Sequence, residues 1–169
     1  MNVVIREAKL IDAPQIIEHV QTVLTESTFM LMTPDEFSLT VKEEEKFLQK
    51  SKEDRNLALV AEADGKIVGF MTFRRSTRQR MKHHGTFGVS IQEAFCNFGI
   101  GRQMMAHLLS WAEADPDIEK ICLEVFSHNE RAIHLYKKLG FVEEGRRLQH
   151  VKFEDGTYVD EIEMYKFVK

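Results

Sequence analysis

The chain has 169 residues, of which 43% are hydrophobic and 30% charged, with only 3 prolines and 9 glycines. That balance suits one folded domain and excludes a largely disordered chain. A net charge of −4 speaks against a dedicated nucleic-acid binder, and two cysteines in no metal-ligand spacing exclude a disulfide framework or a Cys-rich zinc site.

The N-terminal residues 1–10 are too short and too early-charged for a signal peptide, and no apolar run approaches the roughly 18 residues of a membrane span. A protein of the reducing cytoplasm, with no membrane association, is expected. Residues 3–8 read as a first strand. Asp12 then caps a helix with Pro14 in its first turn and Ile16, Ile17, Val20, Val23 and Leu24 on one stripe. Thr33 and Glu36 form a capping box around Pro34, and Thr40 and Glu43 repeat the spacing, so one or two helices run to about residue 51. Two apolar runs, 57–63 and 67–73, flank Asp64-Gly65 and predict a β-hairpin. A further strand covers 86–91. A glycine-bearing loop at 97–101 leads into a helix from about 101 to 114, closed by Asp115-Pro116. Residues 121–126 form a strand, and 130–139 form a helix ended by Gly140 at the left-handed position after its last turn. A second hairpin, 141–153 and 157–167, turns at Asp155-Gly156. Two hairpins plus two crossovers predict a mixed α/β sheet with helices on both faces.

Between residues 91 and 102 the chain passes from a strand through CNFGIG directly into a helix. Gly99 and Gly101 remove side chains where backbone N–H groups can converge on an anion, and the helix N-terminus adds positive potential. A Walker A loop is excluded because no Lys-Ser or Lys-Thr follows either glycine, and a dinucleotide fingerprint because Gly101 is followed by Arg-Gln-Met. Taken alone, the loop also reads as a glycine-softened turn feeding an ordinary helix.

Downstream, LEVFSHNERAIHLYKKLGF places Glu124 in a strand, Asn129 at a helix N-cap, Tyr136 seven residues later and Gly140-Phe141 at the helix exit. Together with GIGRQMMAHLL, this resembles the GNAT superfamily of acyl-CoA-dependent N-acyltransferases, most specifically over 86–142. The resemblance implies a single domain over 1–169, with a mostly antiparallel six- to seven-stranded sheet and a splayed central cleft. The family carries Gln or Arg where this chain has Cys96, a departure softened by the main-chain character of the family's pyrophosphate contacts. Cys96 is read as a small loop residue and not as a nucleophile. The resemblance implies that the amides of Asn97, Phe98, Gly99, Ile100, Gly101 and Arg102 wrap the pyrophosphate of acetyl-CoA. It implies that the strand end at Val89, Ser90 and Ile91 pairs with the pantetheine amides and offers an amide to the thioester oxygen. Asn129 is implied to bond the pantetheine arm in addition to capping its helix. No metal is expected.

Acyl transfer to an amine requires that an alkylammonium lose a proton and that the departing thiolate gain one. The family's acid tyrosine falls on Tyr136, which also sits on an apolar helical stripe. Glu124 is the candidate base, in the LEV context that ribosomal-protein alanine N-acetyltransferases use; alternatively it is a strand-end carboxylate paired with a lysine. Glu93 is the next candidate, and ordered water can replace both.

From Gly65 to Gln92 there is no acidic residue, yet Lys66, Arg74, Arg75, Arg78, Arg80 and Lys82 occur there, followed by His83 and His84. This connection reads either as a solvated hairpin tip or as a recognition element for an acidic group or RNA. His83 and His84 do not read as a metal pair, because neighbours in a strand point to opposite faces. Met30, Leu31, Met32 and Phe37 read as core or as an acceptor wall. The acceptor itself is unassigned, a small-molecule amine or a protein N-terminus, and a homodimer is left open. The other classes are a non-catalytic acyl-CoA-binding domain and an RNA-binding module built on the 74–84 stretch.

Overall fold

The computed structural model describes residues 1–169. In chain order the elements are β1 (Val3–Glu7), α1 (Ala13–Glu26), α2 (Val41–Glu53), β2 (Leu57–Ala63), β3 (Lys66–Arg75), β4 (His84–Ile91), α3 (Ile100–Ala114), β5 (Lys120–Phe126), α4 (Glu130–Lys138), β6 (Val142–Lys152) and β7 (Tyr158–Phe167). The seven strands run in the order β1-β2-β3-β4-β5-β7-β6, mostly antiparallel, with β4 and β5 parallel. This is the mixed sheet expected from two hairpins and two crossovers.

Turn chemistry sets most boundaries. Asp64 and Gly65 both take positive φ (49° and 86°), the twist a two-residue hairpin between β2 and β3 needs. The Thr40 box opens α2, with the Glu43 amide donating to Thr40 Oγ1 at 3.2 Å. The Thr33 box closes only a 3-10 turn at Pro34–Glu36. Gly140 ends α4 at φ 94°, where a Cβ would meet Lys166 Nζ at 2.7 Å. Asp12 departs from expectation. It occupies the N-cap of α1, but its side chain caps no α1 amide; it takes Arg6 at 2.7 and 2.9 Å and the Lys9 amide at 2.7 Å instead. A nearby guanidinium outcompetes a neutral amide for a carboxylate.

The chain forms two compact units, Met1–Arg74 with Gly88–Trp111, and Arg75–Phe87 with Ala112–Lys169. In the first, Ala13 and Ile16 of α1 and Leu48 of α2 pack on Val60 and Ile67, with Phe70 and Ala58 beside them. A bulge near Ala61/Glu62 turns the next residues of β3 to the opposite face. There Gly69 admits Met104 of α3, since a Cβ would meet Met104 Sδ at 3.2 Å and Ala61 Cβ at 3.0 Å. Phe73 meets Trp111 edge-on at 5.3 Å on this side. Helices therefore cover both faces of the sheet within this unit.

In the second unit, Phe87, Tyr136 and Phe141 form an aromatic cluster at 5.7–6.0 Å between ring centroids. The end of α3 is tied down twice. Lys169 Nζ donates to the carbonyls of Ala112, Asp115 and Ile118, a cation placed at the negative end of the helix. Asp115 takes Arg75 at 2.8 Å and the amides of Asp117 and Ile118. Burial alone pushes the Asp115 carboxyl up, but Arg75 and the two amides outweigh it and bring the pKa down to about 2. Because the folded value lies below the unfolded one, this stabilisation is present above pH 4 and is lost as pH falls toward 2. Asp115→Asn is expected to cost about 2 kcal/mol in urea unfolding at pH 7, with the deficit vanishing in acid. An unchanged urea midpoint at pH 7 contradicts this reading.

Candidate active site

In the first unit, β4 ends at Ile91 and passes through a 3-10 turn, Glu93–Phe95, to the loop before α3. The Cys96 thiol lies 3.6 Å from the Gln92 carbonyl and 3.8 Å from that of Ile91, so this side chain closes the turn. Asn97 and Gly99 both take left-handed φ, 66° and 79°, on either side of Phe98. Such alternation turns successive amides into a concave anion nest. The first helical bond of α3 runs from the Gln103 amide to the Gly99 carbonyl at 3.1 Å. The amides of Gly99, Ile100, Gly101 and Arg102 precede it and have no partner inside the helix. Gly99 has nothing within 4 Å of a Cβ position, so its glycine is required by φ and not by space. A diphosphate fits this donor set, which any residue types can supply except at the two left-handed positions.

The strand leading into the loop is held from behind. His19 of α1 is fully buried, its Nε2 lies 3.0 Å from Ser90 Oγ, and its Nδ1 lies 3.3 Å from Gln92 Nε2. Gln92 is anchored in turn by its amide to the Val68 carbonyl at 2.9 Å and by Nε2 toward the Ile67 carbonyl. Burial lowers the His19 pKa to about 4, against a smaller opposing hydrogen bond to Ser90, so the ring is neutral at pH 7. The Glu93 amide donates to Glu26 Oε1 at 2.6 Å.

The second unit carries the acid–base candidates. Asn129 caps α4, its Oδ1 accepting from the Ala132 amide at 3.3 Å, which leaves its NH₂ group to donate elsewhere. Tyr136 is buried in the aromatic cluster, and burial pushes its hydroxyl well above the ordinary tyrosine value. Glu124 is exposed and points to the opposite side of β5 from the buried Leu123 and Val125. It lies directly across the ladder from Glu163 of β7, and Glu161 pairs with Phe126 on the same face. Arg147 of β6 gives its two arms to Glu161 at 3.1 Å and Glu163 at 2.8 Å. Glu124 therefore keeps no ion pair. Desolvation first, then the like charge of Glu161, raise its carboxyl, with Glu163 adding and Arg147 and His150 opposing.

Val89, Ser90 and Ile91 lead through the Glu93–Phe95 turn to the 97–102 loop in the first unit, whereas Glu124, Asn129 and Tyr136 belong to the second. Within that unit Glu124 and Tyr136 occupy separate surroundings, one among carboxylates and the other among phenyl rings. Three features escaped the sequence reading: His19, Gln92, and the Arg147 clamp on two glutamates. The α1 stripe held the signal for His19, since position 19 falls between Ile16 and Val23 on the buried face. The basic connection is partly neutralised, with Arg75 paired to Asp115. His83 precedes β4, so strand alternation does not separate it from His84, and the two rings meet edge-on at 5.0 Å.

The model of the acetyltransferase (GNAT) family matches residues 24–141. An L-amino acid N-acetyltransferase of Escherichia coli is 33% identical over 102 residues, which cover 60% of this chain and 62% of that protein. The chain thus spans less than two thirds of that relative's length. A crystal structure of a GNAT-family acetyltransferase from Streptococcus pneumoniae superposes with a TM-score of 0.94 at 31% identity, covering 99% of this chain and 100% of that one. A phosphinothricin acetyltransferase of Sinorhizobium meliloti, solved in complex with acetyl-CoA, shares the fold with a TM-score of 0.86 at 16% identity, over 99% and 89% of the two chains.

Proposed function

Because the chain belongs to the acetyltransferase (GNAT) family, we propose that it moves an acetyl group from acetyl-CoA to a primary amine by direct attack, with both substrates bound together. The observation that carries this reading is the paired left-handed Asn97 and Gly99 before the unpartnered amides of α3, a diphosphate cradle built from backbone alone. Acetyl-CoA supplies an activated acyl group: the amine nitrogen forms the amide bond as the carbon–sulfur bond breaks and CoA leaves as thiolate.

The chain's residues bind both ends of that reaction and move its protons. Asn97, Phe98, Gly99, Ile100, Gly101 and Arg102 hold the diphosphate through their amides. Val89, Ser90 and Ile91 offer strand-edge groups to the pantetheine amides, and the β4–β5 ladder ends at Thr86↔Cys122, before those residues. Asn129 donates its side-chain NH₂ to the same arm. Glu124 takes the proton of the substrate ammonium, whose ordinary pKa near 10.4 keeps it charged and unreactive at pH 7. Its lack of an ion pair leaves the carboxylate available for this role. Tyr136 gives its hydroxyl proton to the departing sulfur. No group of three or more His, Cys, Asp or Glu side chains is arranged to hold a metal, and none of these steps calls for one.

The acceptor is a small-molecule amine or a protein N-terminus. The E. coli relative's L-amino acid specificity favours the small-molecule side. Residues 1–169 are read as one acetyltransferase domain, acting in the cytoplasm and able to form a homodimer. Titration calorimetry with acetyl-CoA tests the cradle. Gly99→Val forces a branched residue to positive φ at a cost of about 1–3 kcal/mol, and is expected to weaken acetyl-CoA binding by about tenfold or more. The exposed loop gives way to relieve that strain, so the thermal midpoint falls by only a few degrees while the cradle is lost. Undiminished affinity in this variant removes the loop from the binding site.

A further inference from the structure

The buried His19 joins α1 to the end of β4 through hydrogen bonds whose direction can be read. Gln92 Nε2 faces the Ile67 carbonyl, which can only accept, so this atom is the amide nitrogen and a donor. The same nitrogen faces His19 Nδ1, which must therefore be the accepting, unprotonated ring nitrogen. Nε2 then carries the ring proton. Nε2–H thus points at Ser90 Oγ, 3.0 Å away. A serine hydroxyl that accepts at one lone pair still has its own proton to give. All of these groups lie in one compact unit, and His19 is 0% exposed, so water does not compete for the ring.

We propose that His19 is a positioning residue for acyl transfer: as the neutral Nε2–H tautomer it holds Ser90 as an acceptor, leaving the Ser90 O–H to donate at the strand end that receives the acetyl thioester. The inference rests on the reading of β4 as the acetyl-CoA strand. His19 touches no substrate in this arrangement and acts only through Ser90 and Gln92. A buried histidine that merely filled space would need no particular tautomer, and its replacement by an apolar residue of similar size would affect stability alone.

Two measurements test the proposal on the full chain. Nitrogen-15 NMR of histidine-labelled protein between pH 6 and 8 reads the tautomer. The expected result is Nε2–H with an unprotonated Nδ1. An Nδ1–H ring reverses the direction of the Ser90 bond and overturns the proposal. In steady-state kinetics, His19→Leu and Ser90→Ala are each expected to lower kcat about tenfold while the KM for acetyl-CoA changes less than about threefold. Their double variant should be no slower than the worse single one, because both remove the same device. His19→Gln, whose side-chain amide can donate where Nε2 does, is expected to recover at least about half of the lost activity, as one shared hydrogen bond predicts. Losses that simply add, or single variants with unchanged kcat, overturn the positioning role. If His19→Leu does not fold, the Ser90→Ala kinetics and the tautomer decide. A wild-type protein that releases no CoA from acetyl-CoA with any amine defeats the acetyltransferase reading and with it the positioning role. An active wild type with unaffected variants defeats the positioning role alone.

Discussion

Tyr136→Phe is expected to lower kcat by one to three orders of magnitude while acetyl-CoA affinity stays within about twofold. The substitution keeps the ring and therefore the contacts with Phe87 and Phe141, so only the hydroxyl and its proton are lost. Burial keeps that hydroxyl protonated across the working range. A donor of this kind is always loaded, and its O–H is available to the sulfur as negative charge develops there in the transition state. The same burial removes any alkaline limb due to Tyr136 below about pH 10, the ordinary tyrosine value. Calorimetric affinity, thermal unfolding and kcat measured on one preparation separate the possibilities. Unchanged kcat in the phenylalanine variant returns Tyr136 to a purely packing role.

Glu124→Gln is the second large effect, with an expected loss of about two orders of magnitude in kcat/KM at neutral pH. The sign of the pH dependence follows from its surroundings. A base must be ionised to act, and desolvation together with Glu161 and Glu163 makes ionisation harder, so activity falls as pH drops through a value above the ordinary carboxylate range. The glutamine variant lacks that limb. Arg147→Gln is expected to move the limb to higher pH, because it removes the positive charge that partly offsets the glutamates. An unaltered limb in Glu124→Gln transfers the role to Glu93 or to water.

The elements governed by local chemistry were legible from the residues alone. Asp64-Gly65, Thr40 with Glu43, and Gly140 each specify a backbone conformation within four residues of themselves, and each was found where expected. The glycine-bearing loop before α3 was legible for the same reason, because its glycines and the start of the helix are contiguous in sequence, whereas the left-handed turn at Asn97 was not. Asp12 shows the limit of that logic. Its N-cap position was right and its partner was not, since Arg6 reaches it from another element. The Arg147 clamp depends on the register of three strands, and no local signal sets which glutamate lies across from Glu124. His19 lay on a stripe read only for its apolar members, so its bonds to Ser90 and Gln92, more than 70 positions away, appeared only in three dimensions.

An acetyltransferase differs from a domain that only binds acetyl-CoA in releasing the thiol when, and only when, an amine is acetylated. Thiol release from acetyl-CoA, measured against free amino acids, polyamines, aminoglycosides and N-terminal peptides, tests that difference most directly. The expected result is release that depends on an amine, equals the N-acetylated product formed, and falls by one to three orders of magnitude in Tyr136→Phe. Tight acetyl-CoA binding with no acetylated product from any of these amines would contradict it and leave a carrier-binding domain without chemistry.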